Sequence, residues 1–121
     1  MSRELTMYIR NDSSYDLKSY NITHTWNGHS NNLSGSNLAK GHRSNGQAIT
    51  SGYNEHDWYT VQVTFADTKE SVKMTDFYCD SSKSEKNVTL YIHDKYLDCA
   101  YSESKSDPDK HSSSCNKKHW T

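Results

Sequence analysis

Residues 58–66 restrict the fold more than any other stretch of the chain. Tyr59, Val61, Val63 and Phe65 occupy one set of alternate positions, and Trp58, Thr60, Gln62 and Thr64 the other. A period of two puts these sets on opposite faces of a strand and fits no helix. The same alternation recurs at residues 4–10, where Leu5, Met7 and Ile9 oppose Thr6 and Tyr8, and at 87–93, where Val88, Leu90 and Ile92 oppose Thr89, Tyr91 and His93. Weaker versions predict strands at 15–26, 70–79 and 95–101, with a short edge strand at 47–50 ending at Gly52. Residues 27–46 are rich in Gly, Asn and Ser and read as a long loop holding at most a short strand near Leu33. No helix-period pattern of useful length occurs. Short strands separated by turn residues predict an all-β, antiparallel β-sandwich spanning residues 1–101 as one domain. From Ser102 to Thr121 the chain is rich in Ser, Lys, Asp and His, and is expected to be a polar, mobile C-terminal tail in which Trp120 is incidental.

Composition narrows the function classes. Only 31% of the 121 residues are hydrophobic, against about 45–50% in ordinary domains, so the core must be thin. Fourteen Lys and Arg balance fifteen Asp and Glu, a net charge of −1. Such a chain lacks the basic face of a nucleic-acid binder and the bulk charge that draws a protein to anionic lipid. Seven scattered His residues can make it cationic between about pH 7 and 5. Cys79, Cys99 and Cys115 form no CxxC pair. One bridge is possible, with Cys79–Cys99 the expected pair if both lie on core strands, and free thiols are the alternative. The first residues lack the apolar segment of a signal peptide, so synthesis in the cytoplasm followed by release is expected.

No motif for catalysis, metal or cofactor stands out. No nucleophile-elbow glycines or phosphate loop are present, so no enzymatic activity is expected. His111, Cys115 and His119 are spaced four apart but sit in the polar tail. The segment Gly52-Tyr53-Asn54-Glu55-His56-Asp57-Trp58-Tyr59 differs in kind. It brings aromatic rings, carboxylates and a histidine to the start of a strand. A carboxylate and aromatic faces suit a zwitterionic headgroup, and Trp and Tyr suit a membrane interface. Equally, Trp58 could simply cover the core.

One further pattern runs from the first strand into the second: Ile9, Asn11, Ser14, Asp16-Leu17-Lys18, Asn21 and Trp26, followed by Asn27-Gly28. Gly52, Glu55 and the strand from Trp58 continue it, and then Phe77-Tyr78-Cys79-Asp80. In order and spacing this resembles the aegerolysin family, including its short bacterial insecticidal members, over residues 4–101. The resemblance implies a β-sandwich that binds membrane sphingolipid, with or without sterol, in a cytolytic or insecticidal toxin system. A larger, perforin-like partner would form the pore. It carries lipid contact to Trp26 and Glu55, to which the local reading adds Tyr53, Trp58 and Tyr78. Glu55 would face a choline or ethanolamine group. The chain departs from the family after Cys79, where Asp80-Ser81-Ser82 replaces an aromatic-bearing continuation. A lectin-like sandwich that binds glycans by aromatic stacking and Asn/Asp hydrogen bonds is the alternative.

Overall fold

The computed structural model describes residues 2–53, 55–67, 70–80 and 84–120, with the backbone alone at 114 and 115. Among the described residues nine strands are present: β1 Arg3–Asn11, β2 Leu17–Trp26, β3 His29–Leu38, β4 Gln47–Ser51, β5 His56–Phe65, β6 Ser71–Asp80, β7 Asn87–Ile92, β8 Tyr96–Ser102 and β9 Ser113–His119. They form a five-stranded sheet in the order β4-β1-β7-β8-β9 and a four-stranded sheet in the order β3-β2-β5-β6. The expected β-sandwich is what forms. Among the described strands all pairings are antiparallel except one, since β1 lies parallel to β7.

The alternation seen in the sequence is what glues the two layers. Leu5, Met7, Ile9, Val88, Leu90, Ile92, Leu97 and Tyr101 of the first sheet face Ile22, Tyr59, Val61, Val63, Phe65, Met74 and Phe77 of the second. Each fully buried aliphatic side chain contributes about 1.5–3 kcal/mol. Met74 and Phe77 are three residues apart yet both point inward. A bulge against Tyr59–Val61, with Asp76 at φ 54°, restores the phase.

Three expectations are corrected. Residues 27–46 are not mainly loop: Asn27 (φ 46°) and Gly28 (φ 80°) make a two-residue hairpin turn, and β3 runs ten residues beside β2. The segment after Ser102 is not a detached tail. Its end is β9, paired with β8, and its earlier part covers the outer face of the five-stranded sheet. There Asn87 donates to Ser104 O (2.7 Å) and Tyr91 to Asp109 (3.0 Å), and Asp109 is ion-paired with both Arg10 and Arg43. Trp120 is an anchor: it packs on the core, and its indole donates to His93 O (3.0 Å). Finally, Cys79 and Cys99 are both buried on core strands, but Cys79 is disulfide-bonded while Cys99 is a free thiol. The Cys79–Cys99 pair does not form. Asn54, Ser81, Ser82 and the Cys115 side chain, which entered the sequence reading, lie outside the described residues.

The register also aligns the outward side chains of the four-stranded sheet into rows. Ser36, Ser19, Thr64 and Ser71 make one row, and Ser34, Asn21, Gln62 and Lys73 the next. Asn32, Thr23 and Thr60 make a third, and Ser30, Thr25, Trp58 and Tyr78 a fourth.

Candidate functional site

The five residues singled out in the sequence lie towards one end of the sandwich, but they divide into three arrangements. Trp58 and Tyr78 are cross-strand partners on β5 and β6. They are the large hydrophobic side chains most open to solvent among the described residues, 39% and 40% exposed. Their ring centroids are 5.2 Å apart at 48°. His56, one step back on the same face of β5, joins them, 5.7 Å from Trp58 and 4.6 Å from Tyr78. Its Nδ1 is bonded to Asp80 Oδ1, so a carboxylate borders the aromatic cluster. Alternation explains the placement, because the even-numbered residues of β5 all face outward.

Trp26 and Glu55 form the second arrangement. Trp26 ends β2 facing inward and is 7% exposed. Its indole Nε1 donates to Glu55 Oε2 at 2.6 Å, and its ring stacks on His29 (5.7 Å, 10°). Trp26 is therefore not an open contact surface; it holds the exposed Glu55 carboxylate at the rim. A charged acceptor strengthens such a bond. Gly52 is required here: a Cβ at that position would lie 2.3 Å from Glu55 Oε2 and 2.6 Å from Trp26 Cζ2. Gly52→Ala is expected to displace both side chains and to lower stability by about 1–3 kcal/mol, with a shifted tryptophan emission. Urea denaturation followed by fluorescence measures both, and unchanged emission and midpoint would count against this packing.

Tyr53 makes the third arrangement. It turns towards the five-stranded sheet, where the Arg3 guanidinium lies over its ring at 4.9 Å. Arg3 is in turn paired with Glu85 (2.7 Å). Tyr53 thus belongs to a cation–π stack on β1 and not to the Trp58–Tyr78 cluster.

Behind the site is a buried polar network that sequence reasoning missed. Asp57, 0% exposed, accepts from Ser51 Oγ through both carboxylate oxygens (2.8 and 2.9 Å). Tyr101 OH donates to its Oδ2 (3.0 Å), and His24 Nε2 lies 2.8 Å from its Oδ1. Ser, His and Asp are together, but the serine is bonded to the carboxylate and not to the imidazole, and all three are fully buried. A nucleophile needs its base within reach and access for a substrate; this trio joins the two sheets instead. The available signal was that His24 and Asp57 fall at inward positions of their strands. Among the described residues no cluster of three metal-ligating side chains occurs. No described helix is long and apolar enough to cross a membrane.

Fold and site together define a two-sheet β-sandwich with an exposed aromatic–carboxylate cluster at one end. The chain matches no protein-family model and none of the curated proteins.

Proposed function

We propose that this protein is a non-enzymatic binder of membrane lipid, acting at target-cell membranes in a cytolytic or insecticidal system with a larger pore-forming partner. The observation that carries the reading is the exposed Trp58–Tyr78 pair, bordered by the Asp80 carboxylate through His56, with Glu55 held separately by Trp26. Indole and phenol rings bury an apolar body and keep a polar tip wet, which suits the headgroup level of a bilayer. A carboxylate held at the same end attracts the ammonium of a choline or ethanolamine group, and the ring faces add cation–π attraction. The aegerolysin resemblance supports the same reading and supplies the partner of perforin type and the preference for sphingolipid.

Sedimentation with vesicles tests it. Vesicles of phosphatidylcholine alone, and with sphingomyelin or ceramide phosphoethanolamine, each with and without cholesterol, form the panel. Binding to at least one sphingolipid vesicle is expected, with Trp58→Ala and Tyr78→Ala each weakening it about tenfold or more. Glu55→Gln should weaken it by a smaller factor. Failure to sediment with every vesicle would overturn the reading.

A further inference from the structure

We infer that the outer face of the four-stranded sheet binds a neutral saccharide chain, with Trp58 as its stacking platform. This surface is distinct from the headgroup contact proposed above and shares only the aromatic end with it.

The first observation is that the central residues of β3, β2 and β5 on this face carry no charge. The central rows of that face carry Asn21, Thr23, Asn32, Thr60 and Gln62 on three adjacent strands. Charged groups border these rows on β6 and at the aromatic end: Lys73 pairs with Gln62, the exposed Asp76 stands in the bulge opposite Tyr59–Val61, and the His56–Asp80 pair lies beyond Trp58. In a chain with 24% charged residues, a solvent-facing sheet surface of this extent would ordinarily carry several charges for solubility. An uncharged array of hydroxyls and amides gives up that benefit. It offers no complement to a nucleic acid, an acidic polymer or a basic peptide.

The second observation is chemical match. Asn and Gln amides each present donors and an acceptor, and Thr hydroxyls present both, which is what the vicinal hydroxyls of a sugar require. Trp58 closes the array with an exposed ring against which the C–H face of a pyranose can lie, as aromatic rings favour flat, partly apolar partners. Same-face residues along a strand are about 6.8 Å apart, so Trp58 to Gln62 spans about 14 Å, enough for a short oligosaccharide.

The third observation is order. Asn32 Nδ2 donates to Asn21 Oδ1 (2.6 Å), to Ile22 O (3.2 Å) and to Thr23 Oγ1 (3.3 Å). Asn21, Thr23 and Asn32 are therefore held in place before any ligand arrives, and preorganisation reduces the entropy lost on binding.

Calorimetry with soluble neutral hexasaccharides (of glucose, mannose, xylose and N-acetylglucosamine), without vesicles, tests this, with amide NMR shifts locating the contact. Binding of at least one is expected, with shifts at Asn21, Thr23, Thr60 and Gln62. Trp58→Ala should weaken it at least tenfold. The double variant Asn21→Ala/Gln62→Ala should weaken it at least tenfold while leaving sedimentation with lipid vesicles unchanged. Thr60→Lys, which places a bulky cation in the centre of the face, should do the same. Binding to none of the hexasaccharides overturns the inference, as does binding that the double variant retains. Preference for heparin over every neutral sugar also overturns it. Each of these results leaves the lipid proposal standing if the vesicles still bind, so the two can fail separately.

Discussion

Replacing Asp57 with alanine is expected to lower stability by several kcal/mol, since three buried polar groups each lose a hydrogen-bond partner at a cost of about 1–3 kcal/mol. Asp57 lies on the four-stranded sheet with His24, and its other partners, Ser51 and Tyr101, lie on the five-stranded sheet. Losing the carboxylate leaves a buried hydroxyl on Ser51, another on Tyr101 and the His24 imidazole short of a partner, each a desolvated polar group. The two layers are thereby unlinked at the end that carries Trp58 and Tyr78. Asp57→Asn keeps the shape but exchanges an acceptor for a donor, so its loss should fall between wild type and alanine. Urea denaturation measures the differences. A loss below about 1 kcal/mol for the alanine variant, near a neutral hydrogen bond's typical worth, would show that the network adds little.

Strongly alkaline solution should unfold the protein well before its backbone chemistry fails. Burial pushes the Tyr59, Tyr91 and Tyr101 hydroxyls up, and the Cys99 thiol likewise. All four groups are neutral in the fold and resist ionising there. In the unfolded chain the thiol ionises near pH 8.5 and tyrosine near pH 10, about their ordinary values. The folded values are raised, so the stabilisation is complete below those unfolded values. It is lost progressively as pH rises from them towards the folded ones. Each group held protonated removes about 1.4 kcal/mol per pH unit in that window, so three tyrosines together remove about 4 kcal/mol per unit above pH 10. The urea midpoint should be nearly flat from pH 7 to 8.5 and fall steeply beyond pH 10. The share of phenolate absorbance that belongs to Tyr59, Tyr91 and Tyr101 should appear only with loss of the fold. A midpoint that holds to pH 11 would contradict the burial of these hydroxyls.

How far the structure could be read in advance follows from where each strand sits. β1, β5 and β7 show clean alternation because one side of each faces the core, and hydrophobic burial writes a period of two into them. β3 and β9 escaped that test because few of their side chains are apolar, unlike the other two edge strands, β4 and β6. Ten residues of β3 contribute only Leu33 and Leu38 to the core, and β9 is polar almost throughout. Backbone pairing to β2 and β8 holds them, and pairing leaves no mark on hydrophobicity. The Asn27-Gly28 turn was the available signal for β3. At the site, the outward positions of Trp58 and Tyr78 follow from alternation, but their pairing depends on the β5–β6 register. The inward turn of Trp26 and the departure of Tyr53 towards Arg3 depend on packing between layers, which no local pattern encodes.

The parallel pairing of β1 with β7 has a kinetic consequence. Thr6 lies beside Asn87, and Arg3 reaches Glu85 from 82 positions away. Closing so long a loop is entropically slow, and non-local pairing of this kind sets the pace of folding. While the chain is being made, the four-stranded sheet can assemble from residues 17–80, whereas β1, first to emerge, must wait for β7 with one row of backbone N–H and C=O groups unpaired. A strand interior to the finished sheet, β1, is thus the one left longest exposed to the wrong partner, so errors in assembly are expected to begin there.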